Sequence, residues 1–339
     1  MGDVVAVVVG VLLALAGLEA GLRLHGLTDP QWSSRFDTAP GTRSIRRIQH
    51  PFLPFTGRPG ATLDGGRNNA WGFPTHEFSF TKDANDFVVV ALGGAATHGG
   101  VAEAPEVWPT QLQRQLAAAH PDRNIRVYNL GLDGGTSVAS LVTLSLVGTH
   151  LQPDLVVVLH GCDEMRALGA ADFRPDHAHY LRNVDARTGL DFVQERLPGW
   201  LLSFEIVRVV SGAIDRGRGA GSLDQDPFRE RTPHADPLFG IDVTLANLRA
   251  IREVAVARGG DALFATYPFG AGGHDAAAAG FNDRLRRFFV AEGLPWVDLA
   301  AGDRIGDTNA PSPECSAAAA MQARIAAALA PHVDARTRR

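Results

Sequence analysis

Residues 88–100 read VVVALGGAATHGG. Val88 to Leu92 is an unbroken apolar run of strand length, the pattern of a strand covered on both faces. Gly93-Gly94 and Gly99-Gly100 then bracket a tight turn that brings backbone to the surface. In α/β domains the end of a buried strand, where it breaks into such a turn, is the usual mount for a reactive or ligand-holding group. The residue after the double glycine is Ala95, which has no functional group to offer. The mount is present without its part.

Outward from this stretch, strand-like and helix-like runs alternate. Strands are expected at Phe87–Leu92, Ile125–Leu130, Asp154–His160, Ala262–Tyr267 and Trp296–Leu299. Helices are expected at Trp108–Ala119, Ser137–Gly148, Val243–Arg258, Asn282–Glu292 and Ser316–Leu329. This alternation predicts a three-layer α/β/α domain around a mostly parallel sheet, spanning residues 67–335. A polar insertion rich in Pro and Asp interrupts it at about 166–238. Within the insertion, the apolar stretch Trp200–Val207 reads as a helix packed on the domain. The arginine-bearing tail after Leu329 reads as solvated, and residues 25–66 as an extended approach segment.

The chain has 339 residues, a net charge of −5 and one lysine, Lys82. No basic stripe interleaved with aromatics is present, so the sequence gives no sign of a nucleic-acid partner. No cofactor is expected. At the N-terminus, Val4 to Leu18 is strictly apolar, and the run reaches Leu24 if Glu19 and Arg23 extend to an interface. Residues 1–24 are therefore expected to form a membrane anchor in contact with the lipid bilayer. The rival is a cleavable signal peptide with Ala14-Leu15-Ala16 at its cleavage site, although the segment before the apolar run carries Asp3 and no basic residue. Arg23, Arg35, Arg43, Arg46 and Arg47 after the anchor would pull the domain towards the cytoplasm.

Four separated segments together resemble the SGNH (GDSL-like) hydrolases, especially membrane-anchored bacterial members. The quoted turn is similar to the family's nucleophile block, with Ala95 in the place of its serine. Val127 to Ser137 resembles the block whose glycine gives an oxyanion-hole amide, and Gly131 matches that glycine. Pro153 to Glu164 resembles the Gly-x-Asn-Asp/Glu block, with Asp163 in the place of its asparagine. Asp307-Thr308-Asn309-Ala310 stands where the family has Asp-x-x-His, with Ala310 in the place of the histidine. The lead-in Asn69 to Phe73 also resembles the family's. The resemblance implies an SGNH-like, flavodoxin-type fold over about residues 67–330, with the four blocks converging at one end of the sheet.

The departures bear on activity. Ala95 cannot form an acyl-enzyme, and without a histidine at 310 Asp307 has nothing to orient. An ionised Asp163 would repel a developing oxyanion, reversing an interaction worth about 3–4 kcal/mol. Thr97, His98, Ser137, His160 and Glu164 lie in or beside the blocks; a metal site of His98, His160 and Asp163 at the strand ends is the alternative, and ordinary turn and support hydrogen bonds with no metal held are the expectation. The only two cysteines, Cys162 and Cys315, fall in the third block and after the fourth. By the resemblance these loops face each other, so a disulfide between them and two separate buried thiols are both open.

Three functions compete. The first is an inactive, membrane-anchored SGNH-fold protein serving as an accessory or binding subunit of a bacterial membrane complex, of envelope-polymer, respiratory or photosynthetic reaction-centre type. Family habit would put its domain on the periplasmic side of the inner membrane. The second is an esterase or O-acyl transferase acting on acylated carbohydrate, with relocated catalytic residues or as a Ser-to-Ala variant. The third is a carbohydrate- or acyl-binding protein that keeps the old pocket.

Overall fold

Alternate residues of the quoted strand serve two cores. In the computed structural model the strand runs from Asp86 to Gly93 and is buried throughout. Val88, Val90 and Leu92 face one hydrophobic cluster, and Phe87, Val89 and Ala91 face the other. That division follows from the two-residue period of a strand covered on both sides. The structure describes residues 2–25, 47–48, 52–53, 56–57, 59–60, 62–63, 66–99, 106–177, 179–180, 204, 206–207, 210, 233–269, 275–301 and 319–338.

The chain divides into two compact units, Met1–Ile45 with Arg182–Glu230, and Arg46–Leu181 with Arg231–Arg339. The second unit opens with four two-residue strands in two antiparallel pairs, β1 (Arg47–Ile48) with β2 (Thr56–Gly57) and β3 (Thr62–Leu63) with β4 (Gly66–Arg67). Its main sheet contains β5 (Asp86–Gly93), β6 (Asn124–Asn129), β7 (Leu155–Leu159), β8 (Asp261–Ala265) and β9 (Trp296–Val297). The strand order is β6-β5-β7-β8-β9, with every pairing parallel.

In the first unit, α1 spans Gly2–His25. In the second, α2 (Ala95–His98) and α3 (Trp108–Ala119) follow β5, α4 (Ser137–Leu146) follows β6, and α5 (Cys162–Leu168) follows β7. The last three helices are α6 (Ile241–Ala257), α7 (Asp275–Ala291) and α8 (Ala319–Thr337). Helices α4, α6 and α7 cover one sheet face through Leu144, Leu248, Ile251, Phe281 and Leu285. Helices α3 and α8 cover the other through Leu112, Leu116, Ile325, Leu329 and Val333. This is the expected parallel three-layer domain.

Three expectations change. Helix α8 does not stop at Leu329 but continues through Pro331 to Thr337, because Val333 and Thr337 are buried. The tail arginines are therefore fastened: Arg336 lies 3.6 Å from Asp261, and Arg338 lies 2.7 Å from Asp334. The second change concerns the expected span over residues 1–24. Its helix α1 forms, but among the described residues no helix is long and apolar enough to cross a membrane. The strictly apolar run, residues 4–18, falls short of the roughly 20 residues a bilayer core needs. Within this unit the Glu19 carboxylate accepts the Ile206 backbone N–H at 3.0 Å. Of the Trp200–Val207 stretch, expected as a helix packed on the α/β domain, only Phe204, Ile206 and Val207 are described, and they belong to the unit that holds α1.

Candidate functional site

In a parallel sheet of this order, the strand connections part in opposite directions between β5 and β7, leaving a crevice beyond their carboxyl ends. Gly93 pairs with Leu159 and Ala91 with Asn129, so β5 and β7 end level with each other and β6 ends two residues earlier. Three sequence-predicted residues sit just beyond: Ala95 after β5, Gly131 after β6 and Asp163 after β7. Asp307, Ala310 and Cys315 lie outside the described residues, so the fourth block has no described geometry.

Ala95 opens α2 and is fully buried. Its backbone N–H donates to Asp163 Oδ2 at 2.7 Å. Gly94 packs so closely on the same carboxyl group that a side chain at 94 would collide with it. The expectation that Asp163 is an ionised group facing the site needs correcting. Burial, opposed by the Ala95 N–H and reinforced by Asp133, raises its pKa to about 8. At neutral pH it is a protonated carboxylic acid, so it is uncharged and its one hydroxyl can donate.

Gly131 is committed elsewhere. Its N–H donates to Asn129 Oδ1 at 2.9 Å, while Asn129 Nδ2 donates to the Thr97 carbonyl at 2.7 Å. A Cβ at 131 would lie 2.5 Å from the His98 backbone nitrogen. Asn129 was missed in the sequence, although an asparagine two residues before a glycine is the pattern of a side chain closing on its own backbone. The Gly131 amide that the resemblance assigns to an oxyanion hole, and the Ala95 amide, thus both bond to side chains of the chain itself.

The flanking polar residues form a buried network. Glu164, fully buried, accepts the Ser137 N–H and hydroxyl, each at 2.7 Å, and the Thr244 hydroxyl at 2.7 Å. Burial pushes the Glu164 pKa up, but His177, His160 and the two hydroxyls outweigh it, so the pKa falls below the usual value. Burial holds the pKa values of His160 and His177 below their usual value, against the opposing pull of Glu164.

His160 Nε2 lies 2.9 Å from Ser140 Oγ, and its Nδ1 lies 3.8 Å from Glu164 Oε2. Serine, histidine and carboxylate come in the order of a hydrolytic relay. Ser140 and His160 are only 3% exposed and Glu164 is 0%, however, and the Ser140 amide is bonded to the Thr136 carbonyl. No acyl group reaches this hydroxyl, so the network supports the fold. Among the described residues, no cluster of three or more His, Cys, Asp or Glu could hold a metal ion. Cys162 is disulfide-bonded. Farther along, Gln322 of α8 accepts the Trp108 N–H and donates to the Ala96 carbonyl, both at 2.9 Å, which ties the last helix to the first block.

No family model and no curated protein matches the chain by sequence. Solved structures do resemble it. One is a lipase/acylhydrolase from Enterococcus faecalis, 16% identical with a TM-score of 0.45, the match covering 74% of this chain and 96% of that one. Another is a catalytic mutant of an acetylxylan esterase from Geobacillus stearothermophilus, 15% identical with a TM-score of 0.45, covering 73% and 94%. A third is a GDSL-like lipase from Bacteroides thetaiotaomicron, 13% identical with a TM-score of 0.38, covering 73% and 88%.

Proposed function

We propose that this chain is a catalytically inactive SGNH-fold protein, held at the bacterial inner membrane by α1, that serves as a binding or accessory subunit of a membrane complex. The observation that carries the reading is the bond from the Ala95 N–H to Asp163. An acyl-transfer site needs donors free for an oxyanion beside a nucleophile. Here the nucleophile position is an alanine and the chain's own carboxyl group takes the amide. The Gly131 amide, spent on Asn129, supports the same conclusion.

Although α1 falls short of a membrane-crossing helix in length and apolarity, the membrane part rests on the apolar run from Val4, carried on to Leu24 with Glu19 and Arg23 reaching to the interface. Val9, Val11, Leu12, Leu13, Leu15 and Leu18 of α1 are all at least 45% exposed. Glu19 would be costly in such a segment, and its bond to the Ile206 N–H offsets part of that cost. The Cys162 disulfide favours an oxidising compartment, and thus the extracytoplasmic side. We further propose Cys315, the one other cysteine, as its partner.

The test uses the full chain in its native membranes. Alkaline carbonate should leave it in the pellet, mild detergent should release it in a stoichiometric assembly, and that assembly should not hydrolyse acetyl esters above a blank. Release by carbonate would end the anchor reading. Turnover of an acetyl ester that co-purifies with the chain would overturn the inactive reading.

A further inference from the structure

At the opposite end of the sheet from Ala95 and Asp163, the second unit carries an open groove of about 630 Å³. Its lining includes Trp71, Phe80, Leu146, His150, Gln152 and Arg258. Gln152 and Arg258 come just before β7 and β8, so the groove lies at the amino ends of the strands. Five-residue strands put it about 17 Å from the crevice at the carboxyl ends. Its volume falls within the range of small-molecule sites, roughly 300–1,000 Å³.

The groove is firmly built and yet exposes aromatic surface. Trp71 is 50% exposed and Phe80 41%. The Asn69 side chain accepts the N–H groups of both Trp71 and Phe73, at 2.9 and 3.0 Å, and Gly72 between them takes a φ of 85° that other residues rarely adopt. The indole is buttressed by Phe80, edge to face at 5.5 Å, and by Phe78 at 6.1 Å. On the facing wall, Gln152 holds a left-handed backbone, φ 54°. Its carbonyl accepts from Lys82 at 3.2 Å and its amide donates to the Phe80 carbonyl at 3.0 Å. A half-exposed indole fixed this firmly is a stacking platform that a ligand need not order on binding.

The charge of the groove is one-sided. Among the described residues no Asp or Glu lines it, although the chain as a whole carries a net charge of −5. Among the described residues, nothing pairs with the exposed Arg258 guanidinium or the exposed His150 imidazole. Arg126, Arg174, Arg249, Arg286, Arg336 and Arg338 are all engaged with carboxylates. We propose that this groove is a binding site for an acidic saccharide, with a sugar ring stacked on Trp71 and its carboxylate at Arg258. A guanidinium matches a planar carboxylate, and an indole face matches the C–H face of a pyranose. The open form admits a chain of such rings, whereas an acyl chain would need an enclosed apolar cavity. The site is separate from the degenerate crevice, and it stands or falls independently of the proposed function.

The test is calorimetric titration of the full chain with a hexamer of galacturonate, beside a neutral glucose hexamer and a hexaglutamate peptide. The uronate hexamer should bind with a Kd below about 1 mM and weaken as salt is raised. Arg258→Gln and Trp71→Ala should each weaken it by about tenfold or more at an unchanged melting temperature. Trp71→Phe, which keeps an aromatic face, should retain most of the affinity even if the alanine variant proves unstable. No binding at millimolar uronate, equal binding of the neutral hexamer, or indifference to Arg258→Gln would overturn the proposal. Equal or tighter binding of hexaglutamate would overturn it in favour of an acidic protein segment.

Discussion

At the scale of single residues, Asp163 carries the most information. In the crevice its uncharged carboxyl group accepts the backbone N–H of Ala95. In an unfolded chain the same group ionises near pH 3.8, but in the fold it ionises near 8. Its folded pKa is raised, so its contribution to stability is fullest below about pH 4 and is lost as pH climbs towards 8. At about 1.4 kcal/mol per pH unit, the loss at pH 7 is about 4 kcal/mol. Asp163→Asn removes the titration and keeps an oxygen to accept the Ala95 N–H. The variant should match the parent near pH 4 and exceed it by a few kcal/mol at pH 7–8 in chemical denaturation. A constant difference between the two across that range would show that Asp163 is ionised in the fold.

Elements were legible in the sequence wherever burial was two-sided or the periodicity was long. The apolar run 87–92 could be little other than a covered strand, and α3 has the limits its sequence pattern implied, Trp108–Ala119. The sequence pattern ends helix α8 at Leu329, two residues before Pro331, because a proline's local cost is readable in the sequence and the burial of Val333 beyond it is not. The site was legible only in part. That Ala95 and Asp163 meet followed from the block order, but the bonding of Asn129 to Gly131 and the protonation of Asp163 depend on packing that spacing does not encode. Gln322 is a similar case, since a lone polar residue in an alanine-rich helix gives no hint of its partners. Gln322→Leu would leave the Trp108 N–H and the Ala96 carbonyl unpaired inside the protein. We expect it to cost about 2–4 kcal/mol in urea denaturation, whereas a cost below about 0.5 kcal/mol would mean that neither bond matters.

At the scale of the whole molecule, the proposed Cys162–Cys315 bond closes a loop of about 150 residues, which the chain-entropy model values at up to about 5 kcal/mol. The unreduced, denatured protein should take up no alkylating reagent, and two equivalents after reduction. Alkylation without reductant would remove the bond and with it the compartment argument. The central claim, that the fold is kept and hydrolysis is lost, is tested most directly by fluorophosphonate labelling of the full chain and of its Ala95→Ser variant. The account predicts that neither is labelled above a denatured control, because the new serine would find its own amide held by Asp163. Stoichiometric labelling of the parent chain, or of Ala95→Ser alone, would contradict it.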